Sequence, residues 1–162
     1  MMKDRETSVG CRWLAGLAVA ATVGAPAALA AGAWSVEPSE EDWGPVCYLG
    51  YGSAFGSPFG FVAYKRNDEG AYLEAPEEYS EREHVVELVF DSGQRFTFRT
   101  GVDEYFGDLR LNGSTAALLS EFAGTRRLDV LIDGRPTRSF DLAGSSSAVD
   151  ELRRCQSRLP SG

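Results

Sequence analysis

From Trp34 onward, apolar residues come in short runs with a period near two, and Gly, Asp and Ser separate the runs. Side chains on a strand alternate between faces, so this spacing predicts half-buried strands joined by tight turns. The clearest case is the alternation of Phe96 and Phe98 with Arg95, Thr97 and Arg99. Val85 to Phe90, a turn at Asp91-Ser92-Gly93 and Gln94 to Arg99 read as a hairpin with both rings turned inward. A second hairpin is predicted from Leu128 to Ile132, the turn Asp133-Gly134 and Pro136 to Leu142. Shorter strands are expected at Trp34 to Glu37, Val46 to Tyr51, Phe59 to Lys65 and Leu109 to Leu111. Between them, Glu37 to Asp42 and Asn67 to Gly70 read as turns. Tyr72 to Arg82, acidic and holding Pro76, reads as a long surface loop.

Two segments switch to helical spacing. Ser114 to Ala123 places Ala117, Leu118, Leu119 and Phe122 on one side, with Gly124 where a left-handed C-terminal residue belongs. In Ser147-Ala148-Val149-Asp150 the hydroxyl and the carboxylate are spaced as a capping box. Val149, Leu152 and Cys155 then share the stripe of a helix ending near Gln156. The expected fold class is mainly β: an antiparallel β-sandwich of about seven to nine strands with two short helices.

Residues 1–30 follow a different rule. Lys3, Arg5 and Arg12 flank or precede an apolar, Ala-rich core from Trp13 to Val23, and Ala28-Leu29-Ala30 is the small-x-small pattern cut by signal peptidase. Cleavage after Ala30 is expected, which leaves a single β-rich domain at 31–162. Gly24 and Pro26 interrupt the apolar run, which falls short of the ~20 residues that span a bilayer, and no later segment is long enough. No membrane span is expected after cleavage, and the address implied is the periplasm or the exterior.

Removing the signal changes the charge and cysteine inventory. Cys11 is lost with it, and no cysteine directly follows the apolar core to take a lipid. Cys47 and Cys155 remain, and an even count in an oxidising compartment predicts one disulfide. It would close a loop of about 108 residues, worth roughly 4 to 5 kcal/mol in the chain-entropy treatment. The full chain of 162 residues has net charge −8, whereas 31–162 holds 13 basic and 22 acidic residues, net −9, with Lys65 as its single lysine. An isoelectric point near 4.7 and the lack of any basic run exclude a nucleic-acid binder, because phosphate neutralisation needs a basic face.

The residues offer little to catalysis. His84 is the single histidine and is expected at the surface, at the end of an acidic loop. No Gly-x-Ser-x-Gly occurs, and the serines at 145–147 are accounted for by the helix cap. Zinc needs more His and free Cys than are present. The acidic clusters Glu37, Glu40, Glu41, Asp42 and Glu74, Glu77, Glu78, Glu81, Glu83 lack the alternating oxygen ligands and Gly of a calcium loop, so they read as solvated faces. No catalytic residue, metal or cofactor is assigned. In the stretch from Tyr48 to Tyr64, glycines interleave with Tyr48, Tyr51, Phe55, Phe59, Phe61 and Tyr64. Alternate rings there are expected in the core, with the glycines allowing bends and close backbone approach. Tyr51 and Phe55 are the candidates for contact with a partner, Phe55 being set in a Gly-Ser loop.

A broader pattern joins these pieces. Thr115-Ala-Ala-Leu-Leu-Ser-Glu-Phe-Ala-Gly124, the strand Leu128-Asp-Val-Leu-Ile132, a Gly turn and Phe140-Asp-Leu-Ala-Gly-Ser-Ser-Ser-Ala-Val-Asp-Glu-Leu152 together resemble the invasion-associated locus B family of bacterial secreted proteins. So does Gly32-Ala-Trp34-Ser-Val36 followed by a cysteine. The additional central cysteines of many members are absent here. The resemblance implies a periplasmic or secreted β-sandwich with a role at the host-facing envelope, and no catalytic residues. The function expected is that of a non-enzymatic envelope or interaction protein that binds another protein. The alternative is a periplasmic inhibitor of a cationic enzyme such as lysozyme, to which a small acidic domain would be steered.

Overall fold

The computed structural model describes residues 34–54, 56–65, 68–76, 79, 82–104, 106–113 and 115–160. The expected signal and its cleavage site lie outside them. Described in chain order are β1 (Trp34–Glu41), β2 (Gly44–Tyr51), β3 (Phe59–Ala63), β4 (Glu69–Glu74), β5 (His84–Phe90), β6 (Arg95–Thr100), β7 (Asp108–Leu111), α1 (Thr115–Gly124), β8 (Arg127–Ile132), β9 (Arg135–Asp141) and α2 (Ser145–Arg158). They form two antiparallel sheets, β1-β2-β3-β4-β7 and β6-β5-β8-β9, in a sandwich-like arrangement around one apolar core.

Alternation decides which residues enter that core. In the first sheet Val36, Leu49, Phe61, Ala71 and Leu111 stand opposite one another in a single row on the inner face. In the second sheet Val86, Leu88 and Phe90 face inward with Leu128, Val130, Ile132 and Phe98, while Phe96 is half-buried against the Phe90 ring at 5.9 Å. The helices cover the remaining inner surface, α2 on β1, β2 and β3, and α1 on β4 and α2. β9 crosses the strand ends of the first sheet. Its Asp141 carbonyl accepts from Trp34 Nε1 at 3.1 Å on β1, and the Phe140 ring lies 5.5 Å from Tyr51 and 5.7 Å from Phe59. Arg138 pairs with Glu74 of β4 at 2.9 Å.

The closing helix is fastened covalently and by hydrogen bonds. Cys155 is bonded to the fully buried Cys47 of β2, as the cysteine count predicts. Nearby, Gln156 Nε2 donates to the Tyr64 carbonyl and Lys65 Nζ to the Pro160 carbonyl, both at 2.6 Å.

Several local expectations are corrected. β1 does not stop at Glu37 but runs through Pro38 to Glu41, so the segment expected as a polar turn is strand. β1 is an edge strand, where a proline and exposed carboxylates are tolerated, and the turn falls at Asp42-Trp43 instead. β4 occupies Glu69–Glu74, where a turn and the start of a loop were expected, because β3 and β7 pair with it on both sides. α2 begins at Ser145, two residues before the expected cap. Gly144, at φ 85, precedes it with no side-chain cap bond, and the buried Ser145 hydroxyl donates to the Phe122 carbonyl of α1 at 2.7 Å. In α1, Ala117 faces solvent and Gly124 is the last helical residue, without left-handed backbone.

Candidate functional site

The outer face of the first sheet is hollow because its central positions are small. Tyr48, Val62 and Gly70 form one row across β2, β3 and β4, and Gly50, Gly60, Tyr72 and Arg110 the next, from β2 to β7. Glycine is required at Gly60. A Cβ there would lie 2.3 Å from the Leu49 carbonyl oxygen and 2.5 Å from Tyr72 Oη, so the tyrosine ring lies over bare backbone. Tyr72 Oη donates to the Ala54 carbonyl at 3.1 Å, and Tyr48 packs edge-on to Tyr72 at 6.3 Å. The hydroxyl of buried Ser57 draws the intervening loop onto Gly50, accepting from Tyr51 N and donating to the Phe59 carbonyl, both at 2.6 Å.

Two projections wall this floor. β2 leaves β3 beyond Cys47, so among the described residues Gly44–Val46 pair only with Ser39–Glu41 and make a two-stranded arm with Trp43 at its tip. On the opposite side the loop before β7 is folded back, with Asp103 N donating to the Asp108 carbonyl and Gly107 N to the Asp103 carbonyl, both at 2.8 Å. This presents Phe106. Trp43 and Phe106 are 51% and 42% exposed, and their rings meet edge-to-face at 5.8 Å. Arg110, held by Asp103 at 3.0 Å, places its guanidinium 4.8 Å from the Phe106 centroid. The groove enclosed has a volume of about 690 Å³ and includes Trp43, Tyr48, Tyr64, Tyr72 and Phe106 in its lining.

Its electrostatics are anionic. Glu41, Asp68, Glu69, Glu74 and Asp108 line the groove, against Arg110 as the single basic residue among the described lining. Burial and the Glu41 carboxylate, which accepts from the phenol, push Tyr48 up to about 12. Burial, then Asp108 and Tyr48, also raise the Tyr72 pKa. Asp108 itself is raised by burial and by Glu74 and Asp103, which Arg110 only partly offsets. Carboxylates crowded at a half-dry surface repel one another, and the site favours positive charge.

The chain matches no family model, no curated protein and no solved structure. The groove is therefore read from its own chemistry. Among the described residues no group of three or more His, Cys, Asp or Glu is placed to hold a metal ion, and no helix is long and apolar enough to cross a membrane.

Of the residues singled out from the sequence, Tyr51 and His84 lie elsewhere. Tyr51 is half-buried in the aromatic cluster at the β9 crossing, 5.0 Å from the Trp34 ring, and does not line the groove. Phe55 lies outside the described residues. His84 is not at the surface as expected: it is 1% exposed, because the first residue of β5 shares the inward phase of Val86, Leu88 and Phe90. Its Nδ1 is 2.9 Å from Asp133 Oδ2, and Tyr79 packs on its ring at 4.8 Å. Asp133 also accepts from Val85 N at 3.0 Å. It stands at φ 51 beside Gly134 at φ 75, the paired left-handed residues of a tight hairpin turn. The Val85 N–H and then His84 hold its carboxyl below the usual carboxylate range. This cluster ties the β8–β9 turn to the start of β5.

The groove residues Trp43, Tyr72, Phe106 and Arg110 escaped the sequence reading. Trp43 had a legible signal, a tryptophan in an acidic Glu-Glu-Asp-Trp-Gly turn with no apolar run to bury it. Tyr72 had none, since its role depends on lying across Gly60, a non-local pairing.

Proposed function

We propose that this protein is a non-enzymatic envelope or interaction protein, periplasmic or secreted, that docks another protein at the groove on the outer face of the first sheet. The observation behind this reading is the exposed pair Trp43 and Phe106 at the mouth of a concave, aromatic-lined surface. Exposed aromatics beside a pocket are the usual energetic centre of a protein interface. A disulfide is compatible with an oxidising compartment, and the resemblance to the invasion-associated family supports an envelope role. The test compares retention of periplasmic proteins on immobilised wild type and on Trp43→Ala/Phe106→Ala, both with unchanged melting temperature. A species held by the wild type and lost from the variant is expected. Equal retention would place the interface elsewhere.

A second reading, inhibition of a cationic enzyme such as lysozyme, is favoured by the carboxylates that line the groove. It requires slowed cell-wall lysis at low salt that recovers as salt screens the attraction. Unchanged lysis rates at low salt would remove it.

A further inference from the structure

Resting on the groove as the docking site, the following concerns what enters it. Asp103 holds Arg110 and Arg138 holds Glu74, so Glu41 and Asp108 line the groove without an ion pair among the described residues. Glu41 accepts hydrogen bonds from Ser39 Oγ and from Tyr48, which anchor it but supply no positive charge. Around these carboxylates stand Trp43, Tyr48 and Phe106, ring systems whose faces attract cations. Arg110 already shows a guanidinium seated against Phe106. Flat sugar rings fit less well, because Trp43 and Phe106 meet at 84° and offer no open stacking platform between them.

We propose that the groove receives an extended basic segment of a polypeptide, and that an arginine or lysine side chain of this segment lies along Trp43 and Tyr48, inside the Trp43–Phe106 pair, to meet the carboxylates of Glu41 and Asp108. The aromatic rings give the aliphatic stem and the cationic head a common surface, and the carboxylates supply the charge-assisted hydrogen bonds. The partner is thereby identified by its chemistry: a protein with an accessible, arginine- or lysine-bearing loop or tail.

The probe is a short fluorescein-labelled Gly-Ser peptide carrying arginines, with a counterpart in which neutral, isosteric citrulline replaces every arginine. Fluorescence anisotropy is read on the disulfide-bonded protein from Ala31 onward, at about physiological salt so that diffuse attraction is screened. Saturable binding of the arginine peptide is expected, weakened roughly ten-fold or more by citrulline, by Trp43→Ala/Phe106→Ala and by Asp108→Asn. Glu83→Gln removes the same charge at a residue outside the groove and should leave the affinity unchanged. Asp108→Asn relieves a crowded carboxylate, so its loss of binding should come with no loss of melting temperature, which separates a binding defect from unfolding.

Equal binding of both peptides would overturn the cationic occupant while leaving the groove as a docking site. An equal loss in Glu83→Gln and Asp108→Asn would reduce the effect to net charge and overturn it. So would the absence of measurable binding, or displacement of the arginine peptide by a neutral oligosaccharide. Binding of the arginine peptide that ignores both groove variants would remove the site itself.

Discussion

Gly60→Ala probes the floor of the groove with a single methyl group. The new Cβ would sit 2.3 Å from the Leu49 carbonyl oxygen and 2.5 Å from Tyr72 Oη, both inside van der Waals contact. Tyr72 can swing away at the loss of its bond to the Ala54 carbonyl, worth about 1 kcal/mol. The Leu49 oxygen cannot, because it belongs to the β2 backbone paired with β3. Overpacking of this kind costs about 1 to 3 kcal/mol, and an immovable backbone neighbour puts the expectation at about 2 to 3. For a domain of this size, with about 3 to 5 °C lost per kcal/mol, the melting temperature should fall by about 6 to 15 °C. Gly70→Ala is the control, since its Cβ would meet only Val62 Cγ1, at 3.2 Å, and should change the melting temperature by about 4 °C at most. Thermal unfolding followed by far-ultraviolet circular dichroism measures all three proteins. In Gly60→Ala/Tyr72→Phe the hydroxyl is gone, while the ring Cζ at 2.7 Å and the Leu49 oxygen remain, so stability should not return. Full recovery in the double variant, or a Gly60→Ala melt within a degree of wild type, would refute the packing of β2, β3 and Tyr72 described above.

Four further outcomes are expected. Phe98→Ala should cost about 3 kcal/mol in urea unfolding, the low end for a buried ring because β6 is an edge strand, whereas Arg99→Ala, an exposed residue 3.6 Å from Glu83, should cost well under 1. Reduction of Cys47–Cys155, which spans a sequence separation of 108, should lower stability by roughly 4 to 5 kcal/mol, seen as a lower urea midpoint in dithiothreitol; an unmoved midpoint would count against the tie. Asp108 has a raised folded-state pKa, so its charge penalises the fold at neutral pH and the penalty vanishes once both states are protonated. Asp108→Asn should therefore melt above wild type near neutrality and coincide with it below the ordinary value of 3.8; a neutral-pH decrease would reverse the assignment. Asp133 has the opposite sign. Its lowered pKa contributes stability that is present above 3.8 and lost as pH falls through the lowered value, so Asp133→Asn should be the less stable protein at neutral pH and the gap should close in acid.

What the sequence disclosed depended on how locally each feature is encoded. Phe96 and Phe98 against Arg95 and Arg99 spell out a face in one strand, and that hairpin lies where its pattern placed it. Cys47 and Cys155 are the two cysteines of residues 31–162, and the bond joins them as that count predicts. β4 was hidden because only Ala71 and Leu73 are buried between Gly70, Tyr72 and Glu74, and its strand character comes from neighbours on both sides. His84 shares the inward phase of Val86, Leu88 and Phe90, but its partner was not legible, since the Asp133 carboxylate lies 49 residues away on another turn. The groove was the least legible. Its walls come from the β1–β2 arm and the loop before β7, and only tertiary pairing sets Trp43 against Phe106.

The connectivity of the first sheet carries a consequence for how the chain matures. Among the described residues β1, β2 and β3 pair only with their sequence neighbours, so the meander from β1 to β4 that holds Cys47 closes short loops and can assemble early. Cys155 lies on the last helix, which docks on β1, β2 and β3 after everything between has been made. In this order Cys47 waits as a thiol, and the bond locks a finished structure instead of guiding its formation. With two cysteines in the chain from Ala31 onward, every intramolecular disulfide is the native one, so refolding should require an oxidant and no disulfide isomerase. Alkylation quenches during oxidative refolding should then trap folded dithiol protein before the disulfide appears; bond formation ahead of β-sheet signal would invert the sequence of events.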